Sequence, residues 1–333
     1  MNKNKRANSY RPFNCLQGNT IVFDGDKHRR LKTIAGDHLD IDTPSGIKRA
    51  AFAVHTADSL LRIETELGYC IEATPHQRGL VFSNGQIQEK LFQDSKVGDY
   101  VLLKQGTDEE LRGFSDVHYL SGMFYGGGDW IDNGLVSFTV KYFNKNKVAS
   151  SLQRLQCKYS EQGNTVQLVL DEKGRHIIDG INQLACEKSD NASSGYQKAS
   201  AMPDMLLQST MDEKDSFIKG LFDSSSGFHV EKLVLFNENK HFLEDVMVIL
   251  LDFGRYAKLE LLSPIEKYML STIDSSRLLI NFFKEQSMDE TDAIPIKITT
   301  IVTIDGKQPV YDITEIDGGV FYANGMLECN FHS

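Results

Sequence analysis

A mainly β module, divided in sequence around an α/β segment with an internal repeat, is the fold class this sequence predicts. Three observations carry it. Short β runs separated by turn signals fill residues 15–106, helical and strand patterns alternate twice over 114–285, and β character returns over 296–323. At 333 residues the chain also exceeds what one core ordinarily supports, so two domains are expected.

Within the first part, strands are expected at Asn19–Phe23, Ser59–Thr65, Tyr69–Thr74, Gly79–Phe82 and Asp99–Lys104. Turn signals stand between them at Gly18, Asp24-Gly25, Ser83-Asn84-Gly85 and Gly98-Asp99. The pattern changes near Asp108. Phe114–Tyr125 has apolar positions at helical spacing, Val136–Phe143 alternates as a strand, Lys147–Lys158 reads as a helix and Thr165–Leu170 as a strand. About a hundred residues later the order recurs. A helix is expected at Asp215–Phe222, a strand at Val230–Phe236, a helix at His241–Leu251, a strand at Lys258–Leu262 and a helix at Ser276–Glu285. Ser189–Ser200 has no apolar face and reads as a polar linker. The closing part predicts strands at Ile296–Ile304, Val310–Thr314 and Gly319–Ala323, with a turn at Asp305-Gly306 and Pro295 just ahead of the first strand.

Composition narrows the function classes. With 41% hydrophobic and 25% charged residues the chain is ordinary globular protein, which excludes disorder. The net charge of −10 weighs against a DNA-gripping surface, because phosphate affinity rests on cations. The richest apolar stretch, Phe242–Leu251, is interrupted by Glu244 and Asp245, so no membrane span is expected. No apolar run follows the basic Met1–Arg6, and a cytoplasmic location is expected. The five cysteines, Cys15, Cys70, Cys157, Cys186 and Cys329, form no CxxC pair, which argues against a disulfide framework or a zinc ribbon.

Cys15-Leu16-Gln17-Gly18-Asn19-Thr20 at the start, with Val310-Tyr311-Asp312-Ile313-Thr314, Phe321-Tyr322-Ala323-Asn324-Gly325 and Asn330 at the end, resemble the opening and closing motifs of inteins, the self-splicing Hint-fold elements. The resemblance covers about 15–106 and 296–330 and implies a discontinuous, mainly β Hint horseshoe. It also implies that Cys15 attacks the preceding carbonyl and turns the Asn14–Cys15 amide into a thioester, a step suited to the nucleophilicity of a thiol. Thr74 matches the threonine that, with a histidine three residues on, polarises the scissile amide. Here the histidine is one place early, at His76, and Gln77 holds its register. Either a local bulge brings His76 round, or Gln77 serves as a weaker hydrogen-bond partner. Asp312 matches the acid that orients groups at both junctions. Asn330 matches the residue that cyclises onto its own carbonyl, which needs geometry and a polarised carbonyl but no cofactor.

Two positions depart from that pattern. Cys329 stands where a penultimate histidine is usual, and Phe331 stands where a nucleophile is usual, with Ser333 two residues too far along. Cleavage at one or both ends is therefore expected, and normal splicing is not. Cys329 is an ordinary exchange for histidine or the partner of Cys15 in a disulfide that would silence it.

Leu120-Ser121-Gly122-Met123-Phe124-Tyr125-Gly126-Gly127-Gly128 and Ile218-Lys219-Gly220-Leu221-Phe222-Asp223-Ser224-Ser225-Ser226 resemble the paired motifs of LAGLIDADG homing endonucleases. The resemblance implies an α/β domain with a pseudo-two-fold axis and double-stranded DNA as a partner. The positions that hold the catalytic carboxylates of that family are Gly127 and Ser225, neither of which binds a divalent cation as a carboxylate does. Asp129 and Asp223 lie two residues away, roughly 200° round a helix. The nuclease is expected to be inactive, with Mg2+ required only if it is not. A basic face at Lys141, Lys145, Lys147, Arg154 and Lys158 is the candidate DNA contact, although 111–285 is slightly acidic overall.

The expected organisation is a flank at 1–14, the Hint module at 15–107 and 291–330, the endonuclease-like domain at 108–290 and a flank at 331–333. The expected partners are the chain's own flanking exteins, and a monomer is expected. An active sequence-specific endonuclease and a non-catalytic DNA-binding relic are the alternatives.

Overall fold

The computed structural model describes residues 14–34, 36, 38–106, 113–131, 135–139, 144–189, 196–225, 234–262, 267–273, 293–314, 316 and 319–329. Asn330, Phe331, Ser333, Lys141 and the helix expected at Ser276–Glu285 lie outside the described residues.

Nine strands come first. They are β1 (Cys15–Gln17), β2 (Ile21–Phe23), β3 (His28–Arg30), β4 (His38–Thr43), β5 (Gly46–Thr65), β6 (Cys70–Ala73), β7 (Arg78–Ser83), β8 (Gln86–Leu91) and β9 (Tyr100–Lys104). An α/β stretch follows with α1 (Asp116–Gly127), β10 (Gly128–Ile131), β11 (Leu135–Thr139), α2 (Lys145–Arg154), β12 (Tyr159–Gln162), β13 (Thr165–Leu168) and α3 (Glu172–Ala185). The hairpin β14 (Cys186–Lys188) and β15 (Tyr196–Lys198) and the short α4 (Asp204–Leu207) lead into α5 (Met211–Ser225). Then come β16 (Val234–Asn237), α6 (Lys240–Asp252), β17 (Tyr256–Leu262) and β18 (Lys267–Ile273). Strands β19 (Ala293–Thr314), β20 (Val320–Ala323) and β21 (Met326–Cys329) close the chain. The architecture is mostly β, with an α/β portion between the two β parts.

The first and last parts share one sheet. Its order is β20-β21-β7-β9-β19-β1-β6-β5-β4, with β8 on β7, and β19 also pairs directly with β5. That extra pairing curls the sheet through β19, β1, β6 and β5 back to β19. Strands β5 and β19 run antiparallel from Thr65↔Ile298 to Ala51↔Thr314. Asp305-Gly306, expected as a turn, is instead an irregularity inside β19, where the register shifts between Asp305 and Gln308. Gly306 has φ +132, which a side chain would resist, so the glycine signal marks a bulge rather than a chain reversal. Pro295 lies within β19, opposite Leu102 of β9, not ahead of it.

The α/β stretch is built on two glycine-bearing helices. A Cβ on Gly122 of α1 would come within 2.0 Å of the Phe217 carbonyl oxygen, and one on Gly220 of α5 within 2.1 Å of the Tyr119 carbonyl oxygen. The contact is reciprocal, as a two-fold axis between the helices requires. Each helix is followed by a small sheet of matching order. β11 pairs β13, which pairs β12, and in the second half β16 pairs β18, which pairs β17.

The sequence reading missed α3. Its apolar residues Ile177, Ile178, Ile181 and Leu184 are helically spaced, but Gly174 and Gly180 lower its intrinsic propensity. The polar linker expected at Ser189–Ser200 is only partly a linker. β15 pairs with β14, and Ala199 is buried with its carbonyl accepting from the Tyr125 hydroxyl at 2.7 Å. No helix among the described residues is long and apolar enough to cross a membrane.

The chain leaves the sheet at Lys104 and re-enters at Ala293, and these two residues are direct partners across β9 and β19. A buried polar seam ties the excursion to the first β part, through the separate β2–β3 hairpin and through Lys104 and Asp42 of the large sheet. Arg30 donates to both carboxylate oxygens of Asp245, at 2.7 and 3.3 Å, and to the Met202 carbonyl at 2.9 Å. Lys214 of α5 meets His28 Nδ1 at 3.0 Å, His28 Nε2 meets Asp252, and Lys104 bridges Asp252 to Asp42. Burial pulls Lys214 down to about 8 and keeps His28 below its ordinary value. Asp252 goes the other way: burial disfavours its charge, but His28 and Lys104 outweigh that and hold it at about 2.

Candidate functional site

Strand β1 is wedged between β19 and β6, so the first residue of the module sits at the centre of the curl. Cys15 faces Asp312 across the ladder, and its neighbour Leu16 faces Ala73. The Cys15 N–H donates to Thr74 Oγ1 at 3.1 Å, and the Thr74 N–H donates back to the Cys15 carbonyl at 2.8 Å. That N–H belongs to the Asn14–Cys15 amide, so Thr74 grips the bond that a Cys15 thiol would attack.

Thr74 also opens a tight turn, in which the Gln77 N–H donates to the Thr74 carbonyl at 2.9 Å. At the other end of the turn the buried Gln77 side chain reaches the last described strand. Its Nε2 lies 3.3 Å from the Cys329 carbonyl oxygen, 3.2 Å from Glu328 Oε2 and 3.0 Å from the Arg78 carbonyl oxygen. One four-residue turn therefore touches both the first residue of the module and the residue before Asn330. His76 is half-buried within this turn, while Gln77, which holds the histidine register of the family motif, is the buried member.

Cys15 and Cys329 are both buried and both free thiols, so the structure holds no bridge between them. Burial, and then the neighbouring Asp312 charge, pushes the Cys15 thiol well up. Burial does the same at Cys329. A thiol so placed is protonated at rest and needs a proton acceptor in the step that uses it. Asp312 is buried, and His55 Nε2 lies 3.9 Å from its Oδ2.

Sequence reasoning overlooked two residues here, His55 and Glu328. Nothing in the sequence singles out His55, which reaches Asp312 only through the β5–β19 pairing. Glu328 did carry a signal, as an acid inside the otherwise apolar run Met326-Leu327-Glu328-Cys329, all four of which are buried.

Cavities of about 330 and 920 Å³ open elsewhere. The first lies along the seam beside Arg30, Arg62 and Glu244, and the second on the α/β portion beside Phe114, Lys147 and Asp223. Neither is lined by Cys15, Thr74, Gln77 or Cys329.

In the α/β portion, α1 runs to Gly127, and Asp129 is exposed in β10 opposite Ser137. Asp223 lies within α5, where it accepts from the Tyr119 hydroxyl at 3.0 Å and from Lys147 at 2.8 Å. Lys145 is paired with Glu161 at 2.6 Å. Arg154 pairs with Asp116, and Lys158 lies 3.9 Å from Asp171, so all four described basic residues of the candidate DNA face stand beside acids. These residues do not fit a shared two-carboxylate metal site. Gly127 has no side chain, Asp223 is committed to a lysine and a phenol, and the described residues contain no group of three His, Cys, Asp or Glu suited to a metal ion.

No family model matches the chain. It is 24% identical over 275 residues to the ATP-dependent DNA helicase Hel308 of Methanocaldococcus jannaschii, covering 74% of this chain and 21% of the helicase. The chain thus spans about a fifth of that relative's length. Similar solved structures include the homing endonuclease I-DmoI in complex with DNA and Mn, at 18% identity and TM-score 0.33, over 53% of this chain and 98% of that one. They also include the TvoVMA intein, at 23% identity and TM-score 0.24, over 27% of this chain and 69% of that one.

Proposed function

We propose that the chain is an autoprocessing, intein-type element whose outer β module cleaves peptide bonds at its own ends, and that the α/β portion at 108–290 is a homing-endonuclease-like insert without nuclease activity. One observation carries the reading. The Thr74–Gln77 turn hydrogen-bonds to the Cys15 amide at one end and to the Cys329 carbonyl at the other, which couples the two proposed junctions. The order of the motifs supports the intein-type reading, and the direct pairing of Lys104 with Ala293 supports an α/β portion inserted in the β module.

At the first junction the Cys15 sulfur attacks the Asn14 carbonyl carbon and the bond to the Cys15 nitrogen breaks. The thiol proton is taken up by Asp312 and relayed to the leaving nitrogen, so the step is an isomerisation from amide to thioester. Thr74 holds the scissile amide, with His76 beside it in the turn. At the second junction the Asn330 side-chain nitrogen attacks its own backbone carbonyl. The bond to Phe331 breaks, one amide proton passes to the Phe331 nitrogen, and a succinimide remains. Phe331 offers no nucleophile to receive an acyl group, so water or an added thiol takes the Asn14 acyl group from the Cys15 sulfur, which regains its proton, and the flanks are released rather than joined. No step is routed through a metal in the insert, because its donor set does not fit one.

The test is mass analysis of the purified chain incubated with a small thiol. Release of residues 1–14 as a thiol adduct is expected, and Cys15→Ala should abolish it. Loss of Phe331–Ser333 with a succinimide at Asn330 is expected in both proteins. Absence of thiol-dependent release overturns the proposal for Cys15, and a ligated Met1–Asn14/Phe331–Ser333 product overturns the claim that splicing is blocked. With Mg2+, a supercoiled plasmid carrying the fused host sequence should stay intact, and specific cutting overturns the claim for the insert.

A further inference from the structure

Glu328 is an acid buried in an otherwise apolar strand. It is 2% exposed in β21, and Gly79 of β7 lies across the ladder from it. The Glu328 carboxyl packs against Gly79, where even an added Cβ would stand 3.6 Å from both carboxyl oxygens, in ordinary contact. The nearby cation is already committed, since Arg78 pairs with Glu89 of β8. What faces Glu328 is the Gln77 amide, 3.2 Å from Oε2.

An amide NH2 has two protons, and Gln77 offers them to three acceptors: Glu328 Oε2 and the carbonyls of Arg78 and Cys329. The contact to the Cys329 carbonyl is the longest of the three, and the carboxyl on the same strand fixes the plane of the amide that makes it. We propose that Glu328 is a positioning residue, which locks the Gln77 side chain against the Cys329 carbonyl and thereby holds the peptide leading into Asn330 ready for cyclisation. Gln77 and Glu328 together then stand in for the penultimate histidine that Cys329 has replaced. Burial pushes the Glu328 carboxyl far up, so it works as a neutral acid, and a neutral isostere should replace it.

The inference rests on the autoprocessing reading, and its test separates the two. Release of Phe331–Ser333 is timed in the full chain for wild type, Glu328→Gln, Glu328→Leu, Gln77→Leu and the Glu328→Leu/Gln77→Leu double variant, with Asn330→Ala as the control and melting temperatures recorded for each. Glu328→Gln should keep the wild-type rate within about twofold, whereas Glu328→Leu and Gln77→Leu should each slow it about tenfold, the scale of one lost hydrogen bond. The double variant should be no slower than either single one. Release at the wild-type rate in Glu328→Leu, or equal impairment in Glu328→Gln and Glu328→Leu, overturns the positioning role. Release that persists in Asn330→Ala overturns the cyclisation reading instead. If wild type releases nothing, hydrogen exchange of the Gln77 side-chain amide still decides the contact: slow exchange retained in Glu328→Leu overturns it.

Discussion

The two halves of this molecule keep different things. The β module has a nucleophile-type residue, a threonine on the adjoining amide and an acid opposite, all brought together at Cys15. The α/β portion has its scaffold, two helices in reciprocal backbone contact at Gly122 and Gly220, but has glycine and serine where the family it resembles has acids. Packing and chemistry make separable demands on a chain. A side chain at Gly122 would collide with a backbone oxygen, whatever the domain does. Two carboxylates brought together without a metal would repel, so a pair of acids answers to chemistry and not to packing.

That contrast predicts that variants in the two halves fail in different ways, except at the seam that joins them. The largest effect is expected there. Arg30→Met leaves Asp245 buried with the Met202 N–H but without its cation, and should lower the stability of the whole chain by about 3–5 kcal/mol. Denaturant unfolding followed by both near- and far-UV signals would check this. A single shifted transition means that the halves unfold together, and two separate transitions would break the picture of a coupled seam.

The seam should also respond to acid. His28 and Lys104 hold the Asp252 carboxyl at about 2, below its unfolded value. Its contribution is therefore present above pH 4 and is lost as pH falls through about 2. A contribution of about 2 kcal/mol should disappear across that window, and Asp252→Asn should flatten the stability profile there.

Within the insert, Gly122→Ala forces α1 and α5 apart at the Phe217 carbonyl and should cost about 1–3 kcal/mol, with no change in thiol-dependent release at Cys15 in the protein that remains folded. Loss of that release at temperatures well below the melting transition would show that the insert acts on the β module's chemistry. The smallest effect on stability is expected at Thr74. Thr74→Val removes the acceptor of the Cys15 N–H, costing about 1 kcal/mol, and should slow thioester formation about tenfold while leaving the insert unchanged. An unaltered rate would mean that Thr74 serves packing alone.

Much of the fold was legible in the residues. The helices α1, α2, α5 and α6 lie where periodicity places them, because each carries an apolar stripe long enough to outweigh local propensity. The helix α3 escaped notice because two glycines mask its stripe. The continuous lengths of β5 and β19 were not legible either, since their bulges and polar residues look like loop from within the strand itself. At the candidate site, the sequence singled out Cys15, Thr74, Asp312 and Cys329 and left His76 and Gln77 as alternatives. It gave no reason to notice His55.

By itself, the sequence determined which reactive residue types stand at the ends of the β parts and which small residues mark the paired helices, because those signals are local and need only chemistry and spacing. Only the tertiary structure decided that Lys104 and Ala293 are neighbours, that Gln77 rather than His76 is the turn residue against Cys329, and that Glu328 is buried beside it. Each of these depends on strands far apart in the chain pairing in one register. A shift of one residue in that register turns every side chain to the opposite face, and burial then sets whether an acid keeps its proton.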